Sequence, residues 1–469
     1  MKSIIMIAYF FPPEGNAGSY RPLRFARALS SSGWQVRVIS VKPYGYERYD
    51  PELLKAVPKE IEVMRVPERD WWQALQVWRR KRLKDFLLDA SNEKKDHIHI
   101  THNSFVRSKI RHAIRKIECS FYIPDRARTW IVPACEATHQ SYLSKKPDVI
   151  WATVGPISSG FVAYQVSCKT KVPYVLDFRD PWGLNYYHTD LIRPKFATRK
   201  VRNVMRQILE HAQSVVFLFE TVAECYLRAY PGVIDEKKIH IIPNGFEGAL
   251  ESFQVSPRDK CTVVYAGTLS TYRYDTLLQG LQIFKQKYPH LANQLQCLFV
   301  GDGNESLERE SMRLGLFDLI NVKGPVSYQE AQYIQNDAHA LLILGREPVI
   351  KGHELVAGAK LFGYLKASRP IIGVLPQDET RRILVNVGVK TIANVESPSE
   401  ISTVFQQIVE AWKDGQLQTL IPDPTKCAFY SIDRQKEALV DALEGRPSQK
   451  GYIQGTANIP NSLREEILQ

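Results

Sequence analysis

Short apolar runs alternate with amphipathic stretches along most of the chain. The first run, residues 3–10, precedes a stretch at 21–33 whose apolar residues recur at helical spacing, and a second run follows at 35–41. Alternating strands and helices favour a parallel sheet with helices on both faces. A polar stretch at 246–260 separates two such series. Their further apolar runs are residues 148–154, 173–178, 214–219 and 239–244 in the first series, and 261–268, 296–303, 320–326, 340–345 and 369–375 in the second.

The pattern therefore predicts an α/β fold of two tandem Rossmann-like, doubly wound domains. We place the first domain at residues 1–250 and the second at 251–425. A helical stretch at 426–446 follows, and we expect its helix, residues 433–443, to pack back on the first domain. Residues 447–469 lack a core pattern, so they are predicted to be a mobile tail.

Length and composition agree with this organisation. The chain has 469 residues, 44% hydrophobic and 24% charged, which is typical of globular proteins with two or three domains. No apolar run reaches the roughly 18 residues that span a bilayer, and the first run is followed by PPEG rather than by a cleavage site for a secretory signal. Its seven cysteines form no C-x-x-C pair. We therefore expect buried, reduced thiols and a cytoplasmic location.

The charge is distributed unevenly along the chain. Residues 1–250 contain 39 Lys and Arg against 25 Asp and Glu, whereas residues 251–469 contain 23 against 25. The first half is therefore expected to meet something anionic: nucleic acid, a phosphorylated substrate or the acidic inner face of a membrane. No recognisable nucleic-acid-binding module accompanies the basic excess, so we expect no nucleic-acid partner.

Segment 70–88 is the most membrane-like part of this basic half. It combines three tryptophans with five basic residues. That composition predicts an interfacial anchor on acidic headgroups. The alternative is an insertion whose tryptophans pack on the domain while its charges are solvated.

Charged residues end one of the predicted strands. The apolar run at 173–178 contains Asp177 and is followed by Arg179, Asp180 and then Pro181. Buried parallel strands are normally unbroken apolar runs, and ligands of open α/β sheets bind beyond the carboxyl ends of such strands. This position is a candidate active site. A structural ion pair between Asp177 and Arg179 is the alternative.

A glycine-bearing loop follows the first strand. Gly15 and Gly18 open a helix, where glycines let backbone amides approach an anion, although tight turns between a strand and a helix also need glycine. The spacing is not G-x-G-x-x-G, which disfavours an NAD-dependent dehydrogenase. The histidines form no H-E-x-x-H or similar pattern, so we expect no metal site.

Three segments together resemble a known family. They are DFRDPW at 177–182, NVKGPVSYQEAQYIQNDAHALLIL at 321–344, and GAKLFGYLKASRPIIGV at 358–374. In this order and spacing the chain, from residue 1 to about 445, resembles the retaining GT-B glycosyltransferases related to family 4, in the branch with an Asp-Phe-Arg-Asp-Pro-Trp element. In that family two Rossmann-like domains meet at a cleft. The implied reaction transfers a sugar from a nucleotide diphosphate sugar to a hydroxyl acceptor, with retention and with neither a metal nor another cofactor.

The resemblance also implies roles for particular residues. Asp180 and Arg179 would lie on the acceptor and sugar side, with Asp180 orienting or deprotonating the acceptor hydroxyl. Arg273 and Lys360 would stabilise the departing diphosphate. The full set implied to bind the donor is Gly15, Gly18, Gly267, Arg273, Val326, Glu354, Gly358, Ala359, Lys360 and Leu361.

Two positions depart from the family pattern. Thr268 stands where the family has a diphosphate-binding Arg, and Gly363 stands where it has the Glu that holds the ribose. Glu354 could replace that Glu. The resemblance implies a role in cell-surface polysaccharide or glycolipid synthesis with a saccharide or lipid-linked acceptor. A GT-B scaffold without catalytic activity and a sugar-nucleotide epimerase remain as alternatives.

Overall fold

Two compact units make up the chain. A computed structural model describes residues 1–42, 49–68, 119–184, 193–255, 257–269, 274–345, 355, 357–358 and 360–448. The first unit comprises Met1–Ile242 and residues 436–448, and the second comprises Pro243–Gln435. Segment 70–88 and nearly all of the predicted tail at 447–469 lie outside the described residues.

The first unit is built on a sheet of seven parallel strands in the order β3-β2-β1-β4-β5-β6-β7. The strands are β1 Ser3–Ile7, β2 Gln35–Val41, β3 Glu62–Val66, β4 Val149–Val154, β5 Tyr174–Phe178, β6 Ser214–Phe217 and β7 Ile239–Ile241. The helices are α1 Ala17–Ser31, α2 Pro51–Lys55, α3 Ile131–Ser144, α4 Ile157–Thr170, α5 Lys195–Glu210 and α6 Glu220–Ala229, with 3-10 turns at Arg126–Trp130 and Glu236–Lys238. The central strands β1, β4 and β5 are buried along their whole length, as their largely apolar sequences predict, and β5 buries Asp177 as well.

Helices cover both faces of this sheet. On one face, Phe25 of α1 packs edge-on against Trp151 of β4, with ring centres 6.1 Å apart. On the other, Gly160 lets α4 approach the sheet closely, because a Cβ there would lie 3.1 Å from Ile208 and 3.2 Å from Leu176. The order of strands reverses between β1 and β4, which in open α/β sheets is where ligands bind.

The second unit is built on six parallel strands in the order β10-β9-β8-β11-β12-β13. The strands are β8 Cys261–Ala266, β9 Leu295–Val300, β10 Ile320–Lys323, β11 Ala340–Leu344, β12 Ile371–Leu375 and β13 Ile392–Asn394. The helices are α7 Asp275–Lys287, α8 Pro289–Ala292, α9 Glu305–Arg313, α10 Tyr328–Asn336, α11 Lys360–Ala367, α12 Glu379–Asn386, α13 Pro398–Lys413 and α14 Pro424–Ala428, with a 3-10 turn at Leu417–Leu420. The last helix, α15 Ile432–Leu443, runs from the second unit into the first.

These two sheets confirm the predicted α/β fold of two doubly wound parallel domains. Cys261 and Cys297 lie in the core of the second unit, and burial raises the pKa of both thiols above their ordinary value. Within the described ranges, no helix is both long and apolar enough to cross a membrane.

Candidate functional site

The first candidate region lies at the carboxyl ends of β1 and β5 in the first unit. Asn16 caps helix α1, and its side chain accepts a hydrogen bond of 2.8 Å from the amide of Gly18. The buried Gly15 directly precedes this cap. The loop therefore presents the start of α1 at the edge of the sheet where β5 also ends.

Arg179 lies directly against Gly18. A Cβ at position 18 would be 2.1 Å from Nη1 of Arg179, so a larger residue there would displace the guanidinium from this place. Nε of Arg179 is 3.0 Å from Oδ2 of Asp180, and the two side chains are 16% and 20% exposed. The ring of Phe10 lies 5.9 Å from the guanidinium carbon. The structure thus brings together three of the predicted residues, Gly18, Arg179 and Asp180, in a partly accessible cluster of one cation and one anion.

Asp177 faces inward instead. It accepts hydrogen bonds of 2.8 and 2.7 Å from Nε and Nη2 of Arg21, and both side chains are buried. Nη2 of Arg21 also donates to the carbonyl of Ile242 at 2.9 Å. This pair ties α1 to β5 and to the end of β7. The ion pair of Asp177 is therefore structural, as the alternative held, but its partner is Arg21 rather than Arg179.

Trp182 fixes the loop after β5. Its Nε1 lies 2.6 Å from the place where a Cβ on Gly155 would stand, and Gly155 has a φ of +154°, so the ring packs on bare backbone. The hydroxyl of Tyr226 donates to the carbonyl of Trp182 at 2.5 Å. These contacts hold the Trp182 end of the 177–182 element in place.

A carboxylate that the sequence did not single out caps helix α4. Asp125 accepts hydrogen bonds from the amide of Ser158 at 2.9 Å and from its hydroxyl at 2.7 Å. Burial raises the pKa of Asp125 above its ordinary value, while the hydrogen bonds from Ser158 act in the opposite direction. Because Asp125 lies 33 residues before Ser158 in the chain, the sequence alone does not indicate that it caps this helix.

The second candidate region lies at the carboxyl edge of the sheet in the second unit. The four strands β8, β9, β10 and β11 are each followed at once by a glycine: Gly267, Gly301, Gly324 and Gly345. A Cβ on Gly301 would lie 2.5 Å from the carbonyl oxygen of Gly267. No atom of the residues that the structure describes lies within 4 Å of a Cβ added to Gly324. At Gly324 a ligand can therefore approach the backbone closely, whereas the space beside Gly267, Gly301 and Gly345 is taken by Lys360, by the carbonyl of Gly267 and by Pro376 respectively.

Lys360 reaches this edge from the first turn of α11. Its Nζ and Cε both lie 2.1 Å from the place where a Cβ on Gly267 would stand. Nζ donates a 2.8 Å hydrogen bond to the hydroxyl of Tyr265 and lies 4.4 Å from the centre of that ring. The same hydroxyl donates to the carbonyl of Thr268 at 3.0 Å. An ammonium is thereby held at the end of β8. Nothing in the local sequence distinguishes Tyr265 from the other core residues of this buried strand.

The other residues predicted to bind the donor differ in their burial, and three of them lie outside the described residues. Val326 is half-buried in the loop between β10 and α10. Leu361 is fully buried, and its amide donates to the carbonyl of Gly358 at 3.1 Å, so that amide is already engaged. Arg273, Glu354 and Ala359 lie outside the described residues.

Asn304 is a polar residue that sequence reasoning missed. It follows the Gly-Asp-Gly turn after β9 and is 1% exposed, and neither its amide nitrogen nor its oxygen has a hydrogen-bond partner among the described residues. A buried side-chain amide without partners is destabilising, and each such group calls for an explanation.

Among the residues that the structure describes, no three His, Cys, Asp or Glu side chains come together as a metal site would require.

Comparison with known proteins agrees with this arrangement. Residues 18–245 match the family described as Glycosyl transferase 4-like domain. The match spans most of the first unit, so this unit carries a domain of the glycosyl transferase 4-like type. No curated protein matches the sequence significantly.

Solved structures share the fold over nearly the whole chain. A sucrose-phosphate synthase from Thermosynechococcus elongatus has a TM-score of 0.57 and 14% identity, covering 95% of this chain and 98% of that one. HepE from Anabaena in complex with UDP has a TM-score of 0.57 and 12% identity, covering 95% and 100%. A TarM mutant from S. aureus in complex with fondaparinux, α-GlcNAc-glycerol and UDP has a TM-score of 0.56 and 12% identity, covering 94% and 100%. At these identities the likeness establishes the GT-B fold alone.

Proposed function

We propose that this protein is a glycosyltransferase that moves a sugar from a nucleotide diphosphate sugar to a hydroxyl acceptor. The observation that carries the proposal is the ammonium of Lys360, held over Gly267 at the glycine-lined edge of the second sheet. A diphosphate is the anion that suits such a cation beside accessible backbone. The glycosyl transferase 4-like match of residues 18–245 supports the same class of reaction.

On the donor side, Lys360 would neutralise the charge that develops on the departing diphosphate. We propose that Arg273 supplies a second cation and that the backbone at Gly267, Gly358, Ala359 and Leu361 lies along the phosphates. The nucleotide base would contact Val326. Glu354 would take over the contact with the ribose.

On the acceptor side, we propose that Asp180 orients the acceptor hydroxyl and accepts its proton. Arg179 would hold the Asp180 carboxylate through their 3.0 Å ion pair and would contact the sugar. Gly15 and Gly18 would bring the start of α1 close to the donor phosphates. Gly18 also makes room for Arg179 itself.

The finer features of the reaction remain part of this proposal. We propose the Asp-Phe-Arg-Asp-Pro-Trp branch, retention at the anomeric carbon, and catalysis without a metal or another cofactor. The proposed role is synthesis of a cell-surface polysaccharide or glycolipid, with a saccharide or lipid-linked acceptor, on the cytoplasmic side of the membrane. Two neighbours were crystallised with UDP, and one of these also with α-GlcNAc-glycerol, which supports nucleotide and saccharide ligands for this fold. Segment 70–88 is proposed to contact the membrane, although it lies outside the described residues.

A catalytically inactive scaffold is the second candidate, and a specific observation favours it. Thr268, at the position of the family's Arg, is exposed at the end of β8 and brings no charge there. Gly363 likewise brings no carboxylate to α11.

Proton NMR can distinguish a transferase, an epimerase and an inactive scaffold. The purified protein is incubated with a panel of UDP-, GDP-, ADP-, dTDP- and CMP-sugars, with and without a lipid extract. A transferase consumes one donor only when the acceptor is present, and the coupling constant of the product's anomeric proton reports retention. An epimerase converts the donor without an acceptor. If the protein is folded but neither binds nor converts any donor, the inactive scaffold replaces our proposal.

A further inference from the structure

Helix α5, Lys195–Glu210, divides sharply into a buried and an exposed face. Its buried residues are Ala197, Val201, Met205, Ile208 and Leu209. They recur at spacings of three and four and pack the helix on the first unit. The opposite face is strongly basic.

Five cations lie on the outer part of α5, and they share one property. None of them makes an ion pair or hydrogen bond with its side chain anywhere in the described part of the chain. They are Lys195, Arg199, Lys200, Arg202 and Arg206. Glu210, the last residue, is the one acidic residue of the helix.

This arrangement is unfavourable for an isolated helix. Lys195 and Arg199, and again Arg202 and Arg206, are like charges four residues apart, which repel each other. Lys195 also occupies the first helical position, where the positive end of the helix dipole disfavours a cation. An external anionic surface would reverse both effects.

An aromatic residue stands on the same face as these charges. Phe196 is 55% exposed, and it precedes Arg199 and Lys200 by three and four residues, so the three side chains are neighbours on one face. Cations around an exposed aromatic ring suit a lipid interface, where the ring enters the headgroup region and the cations meet acidic lipids.

We infer that the outer face of α5 docks on the acidic phospholipid surface of a membrane. Because α5 connects the parallel strands β5 and β6, it runs antiparallel to them, and its first turn lies at the carboxyl edge of the sheet. Phe196 is therefore at the same edge as Arg179 and Asp180. If the proposed function holds, this docking presents a membrane-borne acceptor to that edge.

The test is co-sedimentation of the full chain with vesicles of phosphatidylcholine alone and of phosphatidylcholine with phosphatidylglycerol. We expect binding only to the acidic vesicles, weakening as salt is raised. The triple variant Arg199→Glu, Lys200→Glu, Arg206→Glu should lower the partition coefficient by about 100-fold or more. Phe196→Ser should weaken binding by about fivefold or more while leaving its salt dependence in place.

A matched control carries the same change of charge elsewhere in the first unit. Lys145→Glu, Lys146→Glu, Lys237→Glu alters three exposed lysines near the opposite edge of the sheet and should bind like the wild type, apart from a small general charge effect. Equal binding by the α5 variant and the wild type would overturn the inference and leave segment 70–88 as the membrane contact. Binding to a labelled RNA but not to acidic vesicles would overturn it as well. Neither result depends on whether a sugar is transferred, so a failure of the proposed function is scored separately by the NMR assay.

Discussion

Two carboxylates three residues apart have opposite environments at the end of β5. Asp177 is fully buried and bound in two places by Arg21, whereas Asp180 is partly exposed and meets Arg179 through a single contact. In the sequence both are charges at a strand end, and the partner of Asp177 is 156 residues away. Side-chain direction on β5 and the position of α1 decide which carboxylate can act in chemistry.

Asp177→Asn should destabilise the protein by about 3 kcal/mol or more, because it leaves the Arg21 guanidinium buried without its counter-charge. Urea unfolding monitored by tryptophan fluorescence measures this. Asp180→Asn is the matched comparison and should cost about 1 kcal/mol or less, since its ion pair is partly solvated. Equal losses for the two variants would contradict the different roles assigned here.

Tyr265 is the residue through which Lys360 is positioned. Tyr265→Phe removes the hydrogen bond to the ammonium, worth about 1 kcal/mol, together with the hydrogen bond to the carbonyl of Thr268. It should raise the dissociation constant of the nucleotide diphosphate roughly fivefold. Calorimetric titration measures the constant. In a double-mutant cycle with Lys360→Met, the tyrosine substitution should have little further effect. Additive losses would show that Tyr265 does not act through Lys360.

At the scale of elements, the apolar runs predicted eleven of the thirteen strands in the described residues, but neither of the short edge strands β3 and β13. Single contacts between elements were not predictable. The hydrogen bonds between Asp125 and Ser158, between Tyr265 and Lys360, and between Arg21 and Asp177 each join residues more than 30 positions apart. They result from the packing of the elements and not from a local sequence pattern. The glycines after β8 to β11 were visible in the sequence, but their shared edge becomes apparent only when the strands are aligned.

Helix α11 has room for the carboxylate that it lacks. Gly363 is exposed, and among the atoms of the described residues a Cβ there would meet only Oε1 of Gln335, at 3.9 Å. Gly363→Glu should therefore fold normally and gain up to about 1 kcal/mol of helix stability from replacing glycine. If the donor ribose lies here, as we propose, the nucleotide should bind more tightly in titration calorimetry. Unchanged or weaker binding by a stable variant would place the ribose elsewhere.

Strand β7 carries a buried histidine near helix α15. Burial lowers the pKa of His240 from 6.5 to about 4, while nearby Asp441 acts in the opposite direction. Because the folded pKa is below the unfolded one, the unfolded chain takes up the proton first, and stability is lost as the pH falls from 6.5 towards 4. The loss should reach about 3 kcal/mol. His240→Gln should lack this part of the pH dependence in denaturant titrations at pH 7 and 4.5; parallel curves for the two proteins would contradict it.

At the scale of the whole molecule, the charged groups that could bind anions differ between the two units. The basic excess lies in the first half of the sequence, where α5 holds five cations without ion-pair partners in the described residues, while the glycine edge and Lys360 belong to the second unit. We therefore assign anionic surface contact to the first unit and diphosphate binding to the second. The sequence could predict this division of charge, but neither the sugar nor the acceptor, because these depend on loop shapes that no motif determines.

The most direct test of the central claim is the melting temperature of the folded protein with each nucleotide diphosphate sugar, because a ligand that binds only the native state stabilises it by mass action. We predict a rise with one class of donor, its loss in Lys360→Met, and its retention in Lys413→Met, which removes an exposed lysine at the end of α13 in the same unit. No rise with any donor, or an equal rise in Lys360→Met, would contradict diphosphate binding at this edge.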